Sequence, residues 1–206
     1  MQTIAIISQK GGTGKTTLAL NLAVAAELDG RSAVIIDLDP QASAKGWSDS
    51  REAETPVVIS AQAARLNEIL DTSKKHGAKF VVIDTSPHSE SSSLVAARSS
   101  DFVLIPCRPG ILDLRAIESS ADICALAKAK AAVVLNAVPS RGKIAIEAEE
   151  AIQRYNIPTV PVQIGQRMAF VHSLTVGLAV LEYETNGKAV EEINALYKWT
   201  CKHARK

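Results

Sequence analysis

The feature that most constrains this chain is a glycine-rich segment that directly follows a short apolar run near its start. Residues 10–17 read KGGTGKTT and follow TIAII at residues 3–7. Gly11, Gly12 and Gly14 have no Cβ, so the backbone can curl until several N–H groups converge on one small volume. A helix that begins at the end of such a loop adds further N–H donors, which favour anions. The sequence therefore predicts a strand, a phosphate-binding loop and a helix in succession.

Side chains at the end of this loop are of the types that a nucleotide and its metal ion require. Lys15 can reach the β- and γ-phosphates, and the hydroxyl of Thr16 can ligate Mg²⁺. Gln9 stands where the common GxxxxGK[ST] pattern has its first glycine, so the loop is a variant of that pattern. Lys10 is an additional lysine, and its place beside bound phosphate favours a role for its charge. The predicted nucleotide-binding residues of the loop are Gly11, Gly12, Thr13, Gly14, Lys15, Thr16 and Thr17.

Length and composition indicate one domain that spans residues 1–206. With 206 residues, of which 47% are hydrophobic, the chain can bury a full core without disulfide bonds or structural metals. The formal net charge of +1 excludes a general polycation. Contact with nucleic acid would therefore require a local basic patch or the assembly of several copies.

The cysteines and the apolar runs bear on the cellular compartment. Cys107, Cys124 and Cys201 are an odd number without the spacing of metal ligands, which favours buried thiols in a reducing environment. No apolar run approaches the roughly 20 residues of a membrane span, and no basic segment precedes the first apolar run. We therefore expect a cytoplasmic protein without a membrane span, a zinc site or an iron–sulfur cluster.

Short β-branched runs alternate with longer amphipathic stretches along the chain. This alternation is typical of a parallel sheet covered on both faces. We predict an α/β fold, with a mostly parallel β-sheet and helices on both faces, whose carboxyl strand ends carry the ligand site. Predicted strands cover residues 3–7, 32–37, 57–59, 80–84, 102–105, 132–136 and 159–162, and predicted helices include residues 17–23, 61–76, 113–130, 144–155 and 188–204.

Acidic residues end two of the predicted strands. Asp84 follows the four apolar residues FVVI, in the pattern of an aspartate that holds Mg²⁺ through its water shell beside Thr16. The second predicted strand ends in DLDPQ, which contains Asp37 and Asp39. Asp39 and Pro40 alternatively open a turn and cap the following helix, and both roles can coexist.

The phosphate loop with its additional lysine and the DLDPQ segment resemble the ParA/MinD family of ATPases, whose loop is a deviant Walker A box. Trp47 and Ser48 are similar to the small ParF-like members that partition plasmids. The resemblance implies a P-loop NTPase fold, ATP and Mg²⁺ as cofactors, and a homodimer that forms around ATP. One departure is Ser86 before Pro87, where the family commonly has two prolines.

The resemblance also implies a cellular task. A ParB-like partner would stimulate slow hydrolysis, and the ATP-bound dimer would bind DNA without sequence preference. The protein would then associate with the nucleoid and segregate or position a plasmid, a chromosome or another cargo.

The same resemblance assigns roles to individual residues. Lys10 would reach the nucleotide of a partner subunit, Lys15 would bind phosphate, and Asp39 would orient the attacking water, which makes these the predicted catalytic residues. Asn136, at the end of a late strand, would contact adenine together with the backbone of residues 163–167, or would only cap a loop. The predicted metal-site residues are Thr16, Asp37 and Asp84.

The last predicted helix carries an apolar stripe and a basic end. Val190, Ile193, Tyr197 and Cys201 lie on one side of this helix, which should pack against the sheet. The basic end either complements the helix dipole or contacts DNA phosphates, and Arg167 would add to such a patch. The residues of this end are Lys198, Lys202, His203, Arg205 and Lys206.

Two further functions share the predicted fold and loop. A metabolic ligase of the dethiobiotin-synthetase type would consume a small-molecule acceptor together with ATP, and a MinD-like regulator would bind membranes. Lys10 and the DLDPQ segment favour partition over the ligase. A reversible membrane anchor needs an exposed apolar face, whereas the pattern of the last helix commits its stripe to the core.

Overall fold

A single parallel sheet forms the centre of the computed structural model, which describes residues 1–204. The strands are β1 (Gln2–Ile6), β2 (Ala33–Asp37), β3 (Val57–Ser60), β4 (Phe80–Asp84), β5 (Phe102–Cys107) and β6 (Ala131–Leu135). Their order is β3-β2-β4-β1-β5-β6, and each pairing is parallel. The carboxyl ends of these strands therefore meet at one edge, and the predicted α/β fold is confirmed.

Helices connect successive strands and cover both faces of the sheet. Their bounds are α1 (Lys15–Leu28), α2 (Ser43–Asp49), α3 (Leu66–Lys75), α4 (Glu90–Ser99), α5 (Ile111–Ala127), α6 (Ile144–Ile152), α7 (Met168–Thr175), α8 (Val180–Tyr183) and α9 (Lys188–His203). Buried residues of α1, α7, α8 and α9 pack in one core cluster, and those of α3 to α6 pack in another.

The strands contribute alternate side chains to these two cores. Ile4 and Ile6 of β1 face the core beneath α1, whereas Ala5 and Ile7 face the core beneath α3 to α6. This alternation follows from the two-residue period of a β-strand. Because both faces are covered, the strands are almost continuously apolar, and polar side chains concentrate where the strands end.

One predicted strand is wrong. Residues 159–162 contain no strand, and Thr159 forms only an isolated parallel bridge with Val133 of β6. The Val160 N–H donates to the Val133 carbonyl at 2.8 Å, and the next N–H to bind β6 is that of Ile164, which donates to the Leu135 carbonyl at 2.9 Å, so residues 161–163 interrupt the ladder of hydrogen bonds. The segment runs along the outer edge of β6 without becoming a further strand.

Several helix boundaries also differ from the predicted ones. The helix predicted over residues 61–76 starts as a 3₁₀ turn at Ala63–Arg65 and becomes α-helical only in α3. The one predicted over residues 144–155 ends in a 3₁₀ turn at Gln153–Tyr155. The sequence analysis did not predict α4 and α7, which are short, and α4 is rich in serine, a residue with modest helix propensity.

The final helix, α9, packs on α1 and on the sheet, and part of the predicted apolar stripe forms this contact. Ile193 and Tyr197 are buried, and the Tyr197 ring meets the Phe80 ring of β4 edge-on with centroids 5.5 Å apart. Val190 and Cys201 are only half-buried, contrary to the predicted stripe. The buried side of α9 includes Ala189, Ile193, Leu196, Tyr197 and Thr200.

The basic end of α9 faces solvent in the described part of the chain. Lys198, Lys202 and His203 are exposed, while Arg205 and Lys206 lie outside the described residues. Within residues 1–204, no helix combines the length and the apolar character needed to cross a bilayer.

Candidate functional site

The glycine-rich loop lies at the carboxyl edge of the sheet, between the ends of β4 and β5, because β1 pairs with both strands. Gly12 and Gly14 have φ angles of 74° and 93°, in the left-handed region that favours glycine. A Cβ on Gly14 would lie 2.1 Å from Nδ2 of Asn136, so only glycine fits there. The loop leads directly into α1, and its N–H groups and the helix N-terminus form an anion-binding environment.

Lys15 is buried at the start of α1 and turns back over the loop. Its Nζ donates a hydrogen bond to the carbonyl oxygen of Lys10 at 3.3 Å. Burial lowers the pKa of Lys15, and the nearby Asp84 and Asp39 carboxylates partly oppose this shift. A buried ammonium group with so little hydration favours an anionic ligand.

Thr16 and Asp84 form the pair that the sequence predicted for a metal site. The Thr16 hydroxyl donates to Oδ2 of Asp84 at 2.6 Å, while the buried Oδ1 of Asp84 has no hydrogen-bond partner among the described residues. Burial raises the pKa of Asp84 to about 7. An orphaned carboxylate oxygen beside a hydroxyl suits Mg²⁺, which in nucleotide sites takes few protein ligands and completes its shell with phosphate and water.

No closed metal cage competes with this pair in the described residues, where groups of three or more His, Cys, Asp or Glu side chains suited to a metal are absent. Nucleotide-linked Mg²⁺ does not need such a cage. The donor set present therefore fits that ion.

Asp37 shapes the segment between β2 and α2. Its Oδ1 accepts from the Asp39 N–H at 3.0 Å, and its Oδ2 accepts from the N–H groups of Ala44 and Lys45 at 3.0 and 3.3 Å. Burial raises the pKa of Asp37, and these hydrogen bonds oppose the shift. These contacts hold the loop after β2 in shape, and the role of Asp37 as a metal ligand stays a prediction.

Asp39 is half-buried and lines the cleft over the loop. Its Oδ1 accepts from the Gln41 N–H at 2.9 Å, and its carbonyl accepts from the Ala42 N–H at 2.8 Å, so Asp39 opens a turn as the sequence indicated. The first turn of α2 is held by Asp37 and not by Asp39. The predicted water-orienting role of Asp39 stays a prediction.

Lys10 contacts a distant part of its own chain. Its Nζ lies 2.7 Å from Oδ2 of Asp113 in the first turn of α5, in an ion pair that solvent reaches only partly. The predicted contact with the nucleotide of a partner subunit would require this ion pair to open.

Asn136 supports the phosphate loop from behind. Its Nδ2 donates to the carbonyl oxygen of Thr13 at 2.7 Å in a buried hydrogen bond. This agrees with the alternative that Asn136 holds a loop, and the adenine contact stays a prediction. Residues 163–167 were predicted to contact adenine together with Asn136. In this segment the Gly165 N–H donates a hydrogen bond to the Glu192 carboxylate, and the Arg167 guanidinium forms an ion pair with the same carboxylate.

Most of the predicted nucleotide-binding residues line one open cleft of about 330 Å³, whereas Thr13 and Asn136 do not line it. Its walls also include Pro87 after β4 and Arg108 after β5. The sequence analysis missed Arg108, because the strand before it was predicted to end at residue 105 and is two residues longer. The lining residues are Gly11, Gly12, Gly14, Lys15, Thr16, Thr17, Asp39, Pro87 and Arg108.

The profile of the CobQ/CobB/MinD/ParA nucleotide binding domain matches residues 4–178, which include the loop, the three aspartates and Asn136. The chain belongs to this family. The resemblance to ParA/MinD proteins is thereby confirmed, and nucleotide binding in this cleft stays a prediction.

Two relatives match this chain over at least 90% of both lengths. The maintenance of carboxysome distribution protein A of Halothiobacillus neapolitanus is 29% identical over 205 residues, 94% of each chain. The protein of the same name from Gloeobacter kilaueensis is 31% identical over 199 residues, 95% of this chain and 90% of the relative.

A solved structure shows the same fold. The septum site-determining protein MinD of Pyrococcus horikoshii, complexed with Mg-ADP, superposes with a TM-score of 0.79 at 20% identity and covers 98% of this chain and 97% of its own. The ligand of that neighbour agrees with the ATP and Mg²⁺ that the sequence predicts for members of this family.

Proposed function

We propose that this protein is an ATP-hydrolysing positioning or partition protein that works as a dimer around ATP. The observation that carries the proposal is Lys10, an additional cation at the start of a phosphate loop that already has Lys15. Two relatives that cover at least 90% of both chains are named for carboxysome distribution, which supports a positioning task. The cargo here is a plasmid, a chromosome or another large body.

Nucleotide binding would use the phosphate loop together with the side chains of Thr16 and Asp84. The N–H groups of the loop and of the first turn of α1 would bind the phosphates, with Lys15 as their nearest buried cation. Thr16 and Asp84 would hold Mg²⁺, which would neutralise charge on the β- and γ-phosphates. The hydrogen bond from Asn136 to the Thr13 carbonyl would keep the loop in this shape.

Hydrolysis would rely on Asp39 at the rim of the cleft. Asp39 would orient a water molecule, whose oxygen bonds to the γ-phosphorus as the bond to the bridging oxygen of ADP breaks. Lys15 would stabilise the negative charge that develops on the phosphates. A ParB-like adaptor would accelerate this slow step.

Dimerisation would release Lys10 from Asp113 and bring it to the nucleotide of the second subunit. Ile111 and Leu112, beside Asp113 at the start of α5, are 64% and 65% exposed. Exposed apolar side chains next to the lysine favour contact with another protein surface over contact with solvent. The second subunit would cover these side chains and the charge of Lys10 together.

The two lysines provide the test. We expect Lys15→Ala to abolish ATP binding, since the phosphates lose their buried cation, whereas Lys10→Ala retains binding and loses ATP-dependent dimerisation. Calorimetry measures binding, and light scattering with a nonhydrolysable ATP analogue measures dimerisation. Lys45→Ala, a lysine paired with Asp49 on α2, is the matched control and should behave like the parent.

Each contrary result has a definite meaning. Dimerisation of Lys10→Ala to the same extent as the parent would contradict the role of Lys10. A parent chain that stays monomeric with the analogue, yet consumes a small-molecule acceptor with ATP, would instead be a ligase. Nucleotide-dependent sedimentation with lipid vesicles would instead indicate a membrane regulator.

A further inference from the structure

The cleft needs a cation that the phosphate loop does not supply. Lys15 is the buried cation of the cleft, and the carboxylates of Asp84 and Asp39 already act on it. Lys10 is engaged by Asp113 in the single chain. A bound triphosphate with its metal still carries net negative charge, so a further positive group near the terminal phosphate would stabilise it.

Arg108 meets this requirement by its position. It directly follows β5, lines the cleft and is exposed. Its guanidinium group has no hydrogen-bond or ion-pair partner in residues 1–204, whereas Arg31, Arg51 and Arg167 are all bound by other groups of the chain. An unpaired guanidinium group in a phosphate cleft is a ready site for phosphate oxygens, which it can bind with two parallel hydrogen bonds.

The strand order places Arg108 across the loop from the metal side. Thr16 and Asp84 lie toward β4, and Arg108 follows β5 on the opposite side of β1. A terminal phosphate over the loop would therefore have Mg²⁺ on one side and a guanidinium group on the other. The β-phosphate would lie closer to the first turn of α1 and Lys15, and therefore farther from Arg108.

We propose that Arg108 contacts the terminal phosphate of the ATP bound in its own chain and thereby makes the site prefer ATP over ADP. This inference rests on the proposed function. It assigns to Arg108 a selective role, because ADP lacks the group that Arg108 would contact. The arginine acts when the nucleotide binds and does not require a second subunit.

The test compares affinities for two probes, Mg-ATPγS and Mg-ADP, by calorimetry on the full chain. We expect Arg108→Ala to weaken ATPγS binding about tenfold and ADP binding less than twofold, as for loss of one partly exposed charge-assisted contact. Arg108→Lys keeps the positive charge but cannot make two parallel hydrogen bonds, so its affinity for ATPγS should lie between those of the parent and Arg108→Ala. Thermal unfolding should be unchanged, since Arg108 holds no other part of the chain.

Arg98 supplies the matched control. It is an exposed arginine that lines a cleft of about 350 Å³ beside Met1, at the opposite edge of the sheet. Arg98→Ala should leave both affinities unchanged. This control measures how far the loss of one positive charge, at a site away from the cleft, changes the affinity for an anionic ligand.

The outcomes separate this inference from the proposed function. A parent chain that binds neither probe contradicts the proposed function itself. Normal binding by the parent, with equal losses for both probes or no loss in Arg108→Ala, overturns only the role of Arg108. A loss seen only at protein concentrations at which light scattering detects dimers would overturn the contact within one chain and place Arg108 on the partner's nucleotide.

Discussion

The Lys10–Asp113 ion pair links the phosphate loop to α5 across more than a hundred residues of sequence. In the single chain it gives Lys10 a partner that would compete with the nucleotide of a second subunit in the proposed dimer. Its side chains are 33% and 13% exposed, so the ion pair is only partly screened by solvent. The strength of this contact would therefore set part of the free-energy cost of the proposed dimerisation.

Neutralising Asp113 should lower that cost. We expect Asp113→Asn to strengthen dimerisation with a nonhydrolysable ATP analogue about five- to thirtyfold, because a symmetric dimer opens two ion pairs of about 0.5–1 kcal/mol each. Light-scattering titration measures the change, and Glu118→Gln, an exposed acid farther along α5, is the control. Weaker dimerisation of Asp113→Asn would mean that Asp113 supports the dimer and does not compete with it.

Asp84 makes the stability of the nucleotide-free chain depend on pH. Burial raises the pKa of Asp84 to about 7, opposed by the hydrogen bond from Thr16. Between about pH 4 and pH 7, the folded chain holds a proton that the unfolded chain has released. The free energy of unfolding therefore falls as the pH rises through this window, and then levels off.

A neutral isostere tests this dependence. We expect the parent to lose up to about 4 kcal/mol of stability from pH 4 to pH 8 through Asp84, and Asp84→Asn to lose much less. Urea unfolding without Mg²⁺ or nucleotide measures both. The exposed Asp122→Asn should keep the dependence of the parent. If Asp84→Asn followed the parent curve, the proton would reside on another group, such as Asp37, whose pKa is also raised by burial.

The two aspartates of the segment between β2 and α2 have different surroundings. Asp37 is fully buried and holds three N–H groups, whereas Asp39 is half-buried and borders the cleft. The same segment is tied to the far side of the fold, because Trp47 of α2 stacks with Arg51 and the buried Arg51 binds Glu182 of α8.

Substitution of the two aspartates should produce different defects. Asp39→Ala should bind Mg-ATP with parental affinity and hydrolyse it about a hundredfold more slowly, because a water-orienting group acts on the chemical step. Asp37→Ala should lower the free energy of unfolding by about 1–3 kcal/mol, because buried N–H groups lose their acceptor. Phosphate release and urea unfolding measure the two effects. An unchanged maximal rate in Asp39→Ala would assign the attacking water to another residue.

For the molecule as a whole, charge is the main constraint on DNA binding. A chain with a net charge of +1 offers few contacts to DNA phosphates, and Arg167 is engaged by Glu192. The exposed Lys198 and Lys202 on α9 are available, and a dimer would present them twice. Nucleotide-dependent assembly would thus act as the switch for DNA binding.

We expect DNA binding with ATP, but not with ADP or without nucleotide, and equal affinity for unrelated duplexes. The slope of log affinity against log salt should be about −0.9 for each phosphate contacted, because each contact releases a counterion. Fluorescence anisotropy across a salt series measures it. Lys202→Glu should weaken binding, and Lys75→Glu, on α3, should not. Equal binding in all nucleotide states would rule out the dimer as the switch.

Local sequence was sufficient for the parts of this protein that depend on short-range chemistry. The glycines that permit positive φ, the apolar strands, and Asp37, Asp39 and Asp84 at strand ends all follow from spacing and residue type. Because the strands are parallel, these residues had to meet at one edge, and Thr16 and Asp84 do form the predicted pair. The segment at residues 159–162 shows the limit, since its strand-like composition produces one isolated bridge and no strand.

The tertiary structure alone decided contacts between residues far apart in the chain. The ion pair of Lys10 with Asp113, the hydrogen bond of Asn136 to Thr13, and the place of Arg108 in the cleft depend on which strands neighbour β1. Strand order is set by the packing of whole helices against the sheet, which no local pattern encodes. The sequence therefore determined the chemical groups of the cleft, whereas the fold determined which of them are already engaged and which remain free to bind phosphate.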